Sequence, residues 1–390
     1  MEQYVTRNQK QLRCGITTGT CGAAAADAAA ALLLTGIFKE NVILHTPKGI
    51  TVSVPVVLSG RTEKRVEFMV VKDSGDDPDV TNHTKVYTAV EKLPEDAVLP
   101  ETVFCDEAYP NLYLDAGEGI GRVTREGLEQ KIGQAAINQV PRAMIFKAVE
   151  EIRRLSEYKG RLMITVRIPE GKDLAAKTFN PRLGIVGGIS VLGTSGILEP
   201  MSEKAIVDTI ETEIRQLSAQ GIKNILVTPG NYGQGYAAEY LHLKLADSIK
   251  CSNYIGETLD LAVSYGMERF LLVGDLGKLV KLAAGIMNTH SRVADARCEI
   301  LAVHTVLSGG SREMAERIMN CINTEEILKL LEQWQLKEAV MESLCRKIQE
   351  HVSGRAGEKL KTGVILFSGR FGFLGQTKEA GELLKIYRQL

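Results

Sequence analysis

The segment Gly15-Ile-Thr-Thr-Gly-Thr-Cys-Gly22 runs straight into an alanine-rich stretch ending at Thr35 and Gly36, and it constrains the fold more than any other part of the chain. Thr and Gly ahead of an Ala-rich run mark a helix N-terminus, and Gly36 is a natural stop. Such a helix has almost no large side chains to hold a neighbour away, so something can pack on it very closely. Its apolar run, residues 23–34, carries Asp27 and falls short of the ~20 residues that span a bilayer. A membrane anchor is therefore not expected.

The rest of the first half mixes strands and helices. Residues 42–45, 50–58 and 66–72 are Val-rich and read as strands, with a turn at 47–49. Asp73-Ser-Gly-Asp-Asp-Pro-Asp79 breaks that pattern. A strand at 111–114, a glycine loop at 117–121, a helix from about Pro141 to Tyr158 and a strand at 162–168 follow. Without strict alternation, this predicts an α+β domain. The second half differs. Residues 185–191, 224–227, 270–273 and 364–367 are short apolar runs, most leading through a Gly-containing loop into helical sequence. That predicts an α/β Rossmann-like domain with a mostly parallel sheet, whose ligands sit at the carboxyl ends of the strands. Residues 324–351 read as an amphipathic helical cover. The boundary is placed at Asn180-Pro181, giving domains 1–180 and 181–390.

Charge and cysteine usage narrow the function. With 47 basic and 48 acidic side chains in 390 residues the net charge is -1, which offers no long-range attraction for a polyanion. No nucleic-acid partner is expected. The seven cysteines are scattered without a C-x-x-C pair, so free thiols in a reducing compartment are expected. Residues 1–13 lack the apolar core of a signal peptide. A cytoplasmic protein with no membrane partner is the expectation.

Several motifs carry chemistry. Four carboxylates, Asp73, Asp76, Asp77 and Asp79, crowd seven residues, suiting either a general base or an Asx-rich turn that caps a helix near Asp79. The spacing lacks the bidentate Glu of a calcium loop. Asp115-Ala-Gly-Glu-Gly-Ile-Gly121 resembles the glycine loop of Rossmann-type methyltransferases, although the sequence after it does not open into a helix. Gly233-Gln-Gly-Tyr-Ala-Ala238 fits a loose dinucleotide fingerprint. Gly274-Asp-Leu-Gly-Lys-Leu279 lacks the spacing and the Ser/Thr of a P-loop, which argues against ATP hydrolysis. Met287-Asn-Thr-His-Ser-Arg-Val-Ala-Asp295 is the densest polar cluster of the second half, and His290 in it suits a base, a metal ligand or a hydrogen-bond donor. The six histidines show no metal-ligand spacing, so no protein-bound metal is expected. Cys21, at a helix N-terminus, is either a thiol of depressed pKa or a small packing residue.

Six of these segments, in order, resemble one family. The N-terminal blocks are Gly15 to Cys21 with its alanine run, Lys72-Asp-Ser-Gly-Asp-Asp-Pro-Asp-Val-Thr81, and Gly117-Glu-Gly-Ile-Gly-Arg-Val-Thr124. The C-terminal ones are Asn180-Pro-Arg-Leu-Gly-Ile-Val-Gly-Gly-Ile-Ser190, Gly193-Thr-Ser-Gly-Ile-Leu-Glu-Pro-Met-Ser202, and Lys278-Leu-Val-Lys-Leu-Ala-Ala-Gly-Ile-Met-Asn-Thr-His-Ser291. The resemblance is to the CbiD-type cobalt-precorrin-5B C-1-methyltransferases of anaerobic cobalamin biosynthesis. Asn82 and His83 stand where that family's pattern has His then Gly.

The resemblance implies transfer of a methyl group from S-adenosylmethionine to a ring carbon of a cobalt-bearing tetrapyrrole, giving cobalt-precorrin-6A. The cobalt arrives inside the substrate. Asp76, Asp77 and His290 are the candidates for accepting the proton that the product loses. Gly193, Thr194, Ser195 and Gly196, read as a strand-loop-helix turn, are the first candidates for binding the donor, with Gly117, Glu118 and Gly119 second. Arg122, Arg142, Arg182 and Arg292 suit the peripheral carboxylates of the substrate. Thr17, Thr18, Asn288, Thr289 and Ser291 complete the candidate substrate contacts. A homo-oligomer stays open, as do two other classes of function: an NAD(P)H-dependent reductase and a non-catalytic corrin carrier.

Overall fold

A computed structural model describes residues 3–7, 9–178, 180–181 and 183–388. The chain is mixed α/β with mixed sheets, divided into two compact units, Met1–Ser202 and Glu203–Leu390.

In the first unit the alanine-rich segment forms helix α1, Thr18–Thr35. Thr17 caps it by accepting a hydrogen bond from Thr20 N, and Gly36 ends it in the left-handed conformation. Every residue from Thr18 to Leu32 is buried. The small side chains allow the contacts that bury them. A Cβ on Gly19 would lie 2.9 Å from the ring of Pro141, in helix α2, Gln139–Leu155. On another face Thr88 Oγ1 donates to Gly22 O at 3.1 Å. Because α1 begins at Thr18 rather than Ala23, its 18 residues are long and apolar enough to cross a membrane by length and composition alone, and 83% of them are buried inside the protein. The Lys39 ammonium pairs with the buried Asp27 carboxylate at 2.5 Å.

The helices pack on a six-stranded sheet ordered Val57–Arg61, Arg65–Val71, Lys85–Leu93, Arg161–Arg167, Leu112–Ala116, Phe104–Cys105. Only Leu112–Ala116 and Arg161–Arg167 run parallel. The single strand read over 50–58 is two: Thr51–Pro55 forms a hairpin with Asn41–His45, and Val57–Arg61 edges the main sheet. No helix begins near Asp79; the acidic segment leads through turns into Lys85–Leu93.

Residues 185–191 are not the first strand of a parallel sheet. Ile185–Val186 pairs antiparallel with Arg122–Val123, and single bridges join Ile189 to Ile120 and Val191 to Ile137. Ile197–Leu198 then pairs with Gly15–Ile16. These pairings hold the segment after Asn180-Pro181 in the first unit. An apolar run of this length is ambiguous from periodicity alone.

The second unit carries a five-stranded sheet ordered Ser248–Lys250, Asn224–Thr228, Arg269–Asp275, Lys361–Ser368, Gly372–Gln376. The first four strands are parallel and the last antiparallel. The helical sequence at 324–351 is two helices, Thr324–Gln333 and Lys337–Ala356, broken where Gln335 takes φ 56°. Both bury Leu and Ile against the sheet's core, Leu328, Leu331, Leu344 and Ile348 among them.

Candidate functional site

In the first unit the acidic loop folds around two cations. Arg13 forks onto Asp73, with Nη1 and Nη2 at 2.5 and 2.7 Å from its two oxygens, and Gly75 N adds a third bond at 2.9 Å. The Arg13 side-chain bond, opposed by partial burial, holds the Asp73 carboxyl below the usual range. Arg13 N donates to Asp76 Oδ2 at 2.6 Å. Lys72, only 3% exposed, pairs with Asp79, which also accepts from Thr81 N and Oγ1 at 2.8 Å. Burial pushes the Asp79 carboxyl up, but Lys72 and Thr81 outweigh it and leave it low.

Asp77 is different. Its Oδ2 accepts a bond from Met201 N at 3.1 Å, and among the described residues it has no cation at salt-bridge distance. Burial, reinforced by the neighbouring Asp79 charge, raises its carboxyl above the usual Asp value, against the Met201 bond and the more distant Lys72. A half-buried carboxylate held on one oxygen and raised in pKa is what a proton acceptor requires. Sequence reasoning treated Asp76 and Asp77 alike; their partners separate them. It also missed Arg13 and Lys72. A lysine closing a Val-rich strand, just ahead of four carboxylates, was the available signal for the second.

The loop lies against the start of α1: Ile16 N donates to Asp73 O at 2.8 Å, and Cys14 bridges to Gly75. Thr17 and Thr18 are buried, and the Thr17 hydroxyl is spent on the cap and on the Thr20 hydroxyl. Cys21 is fully buried, and desolvation pushes its thiol up to about 12, so it is a packing residue and not a depressed thiol.

Gly193, Thr194, Ser195 and Gly196 do not open a helix. They lead into Ile197–Leu198, and their carbonyls serve the fold: Gly196 O accepts from Thr17 N and Thr20 Oγ1, and Ser195 O from Lys48 N. The structure thus gathers Thr17, Thr18, Asp76, Asp77 and residues 193–196 around the N-terminal turn of α1. Gly117, Glu118 and Gly119 form a backbone junction elsewhere in the unit. Gly119 has φ 78°, its carbonyl accepts from Ile189 N, and a Cβ there would lie 1.7 Å from Ile168 O, so only glycine fits. Glu118 is exposed.

The arginines divide as well. Arg122 is committed to Asp115 through a two-pronged pair at 2.7 and 2.9 Å. Arg142 bonds Ile137 O at 2.7 Å and stacks 4.5 Å over Phe104. Both hold the unit's own loops. Arg182 lies outside the described residues.

In the second unit, residues 288–292 form a loop after the helical turn Val280–Ala284. Thr289 is buried, its N and Oγ1 meet Asn253, and its carbonyl accepts from the buried Lys281 ammonium at 3.0 Å. Asn288 Oδ1 accepts from His290 N, and His290 Nδ1 accepts from Arg292 N, both at 3.1 Å. His290, Ser291 and Arg292 are exposed. The ring acceptor role fixes the His290 proton, when the ring is neutral, on Nε2.

Comparison with known proteins finds relatives of this chain. A family model described as CbiD matches residues 5–200, and one described as CbiD, C-terminal domain, matches residues 288–378. The chain is 44% identical over 368 residues to a protein of Ruminiclostridium cellulolyticum named cobalt-precorrin-5B C(1)-methyltransferase, covering 94% of this chain and 92% of that one. A protein of the same name from Alkaliphilus metalliredigens is 39% identical over 388 residues, covering 100% and 98%. Among solved structures, a cobalamin biosynthesis protein (cbiD) from Archaeoglobus fulgidus is 27% identical, covers 75% of this chain and 87% of its own, and has a TM-score of 0.39.

Proposed function

The chain belongs to the CbiD family, and from that membership we propose that it methylates C-1 of cobalt-precorrin-5B, giving cobalt-precorrin-6A in anaerobic cobalamin biosynthesis. The observation that carries this reading is identity of 44% over nearly the whole length of a relative so named. We take the methyl donor to be S-adenosylmethionine, the second unit to work as a Rossmann-like domain, and the protein to act in the cytoplasm.

S-adenosylmethionine, when bound, supplies an electrophilic methyl on a sulfonium. The residues of this chain do the rest. Orientation of the ring carbon against that methyl supplies roughly 7–11 kcal/mol of the barrier. The carboxylate of Asp77 receives the proton that the methylated product gives up. Its half-buried position and raised pKa, set by burial, support that role. Arg292, exposed and outside every described ion pair, suits a peripheral carboxylate of the tetrapyrrole. His290 and Ser291 beside it suit the same polar periphery, while the contact of the buried Thr289 with Asn253 fixes the loop that presents them.

The test is an anaerobic single turnover with methyl-labelled S-adenosylmethionine and cobalt-precorrin-5B, followed by mass spectrometry of the tetrapyrrole. Label on the ring, dependent on the protein, is the expected result. Tetrapyrrole that binds but stays unlabelled, with its competence verified on an active relative, defeats the reading and favours a carrier.

A further inference from the structure

The strand order of the second unit singles out one crevice, at which the motifs of residues 233–238 and 274–279 both lie. Numbered by their order in the chain, its parallel strands lie 2-1-3-4 across the sheet, so the connections leave strand Asn224–Thr228 to one side and then return to the other. The crevice at such a reversal, outside the carboxyl ends of the strands, is where open α/β sheets bind ligands. Here the ends are Thr228, Asp275 and Ser368 on three adjacent strands.

Two side-chain atoms at this edge lack hydrogen-bond partners among the described residues. Thr228 is 0% exposed and its Oγ1 has no hydrogen bond among the described residues. Its Cβ lies 3.0 Å from where a Cβ on Gly233 would stand, which puts the side chain under the first turn of helix Asn231–Glu239. Glu325 takes a 2.6 Å bond from Ser368 Oγ on Oε1, and its buried Oε2 is left unpartnered. A buried polar atom without a partner has lost its hydration without compensation, so each invites a ligand group or a water that a ligand retains.

The edge is also bipolar. Gly230 begins helix Asn231–Glu239 with no side-chain cap and open space at its α-carbon, so its amide end attracts a carboxylate. The carboxylates of Asp275 and Glu325 are electrostatic neighbours and attract cationic or hydroxyl groups. Two strand spacings, about 10 Å, separate the strand of Thr228 from that of Ser368. Tyr232, 89% exposed, offers an aromatic face beside the helix start.

We propose that this edge is the binding site for a nucleoside amino acid, which on the methyltransferase reading is the adenosyl methyl donor, with its carboxylate at Gly230, its base near Tyr232, and its cationic groups and ribose hydroxyls toward Asp275 and Glu325. This inference rests on that reading for the ligand's identity, but the site is testable without turnover.

The experiment is calorimetric titration of the full chain with S-adenosylhomocysteine, the stable product of the donor. Glu325→Gln and Asp275→Asn are each expected to weaken binding by about tenfold or more, and Thr228→Val by several-fold, with thermal melts confirming folded variants. Photolabelling of the wild-type chain with an azido-adenosyl analogue and peptide mapping gives an answer that needs no variant. Label on peptides containing residues 228–235 or 368–371 supports the site. Label confined to residues 3–202, or binding untouched by all three substitutions, overturns the site and leaves methyl transfer standing. Preferential binding of NADPH, or no adenosyl binding together with no methyl transfer, overturns the site and the methyltransferase reading together.

Discussion

The acidic loop before Lys85 and the polar loop around His290 look alike as sequence, and the folded chain treats them oppositely. Three of the four carboxylates of the first are anchored by groups distant in the chain, Asp73 and Asp76 by Arg13 some sixty residues away and Asp77 by Met201 further still, while the buried Lys72 holds Asp79 from within the segment. The second is fixed to the fold at Thr289 by Asn253, and its other polar side chains meet neighbours two residues away, as Asn288 does with His290 and Asp295 with Arg297. Each loop spends one non-glycine residue in the left-handed region, His83 at φ 63° and Ala296 at φ 48°. The difference teaches what polar density means. Distant partners fix a side chain's position against the rest of the fold. Local partners shape the backbone and leave His290, Ser291 and Arg292 facing solvent, able to adapt to a ligand.

The largest break in that contrast is expected at Asp79. Asp79→Ala leaves the buried Lys72 ammonium without its carboxylate and costs about 3–5 kcal/mol, read by urea unfolding; a loss below ~1 kcal/mol would remove the anchored half of the comparison. Because the Asp79 carboxyl is held low, its contribution is present above the unfolded-state pKa of about 3.9 and fades as pH falls toward the folded value. Asp79→Asn should flatten that acid limb.

Asp77→Asn is expected to reduce single-turnover methylation by about 10²-fold or more while leaving the unfolding midpoint nearly unchanged. The folded carboxyl is raised, so base function is lost as pH falls through a value above that of a free Asp, and the variant should lack this limb. The sign for stability is opposite to that of Asp79: what the protonated Asp77 contributes is present below the unfolded pKa and lost as pH rises through the folded one. Turnover by Asp77→Asn equal to wild type would return the proton to another group.

Smaller effects sharpen the comparison. Arg13→Ala removes a partly exposed two-pronged pair and should cost about 1 kcal/mol. His83→Gly relieves a left-handed side chain and should gain up to about 1 kcal/mol in the same unfolding assay, in keeping with the glycine that the family's pattern carries there. His290→Ala should change stability by no more than ~0.5 kcal/mol; a larger loss would make that loop structural and erase the contrast.

Much of this was readable before folding. The Thr-Gly cap, the alanine run and Gly36 announced α1 because capping and helix propensity are local. The strands at 224–227, 270–273 and 364–367 declared themselves by apolar runs opening into glycine loops. Residues 185–191 carry the same signature, yet they pair with Arg122–Val123 and Ile120. Nothing in a short apolar run states which edge it will join. The glycine loops show the same limit: Gly119 packs against the Ile168 backbone and Gly196 against the Thr46 and Pro47 side chains, and a glycine serves close packing or ligand approach equally well.

The sequence alone determined the family, the reaction class it implies, and the local elements, since these depend on residue order and on interactions within a few positions. Tertiary structure decided which carboxylate has no cation at salt-bridge distance, which thiol is buried, and where two polar atoms stand without partners among the described residues. Those properties depend on burial and on charges brought together from distant parts of the chain, and no local pattern encodes them.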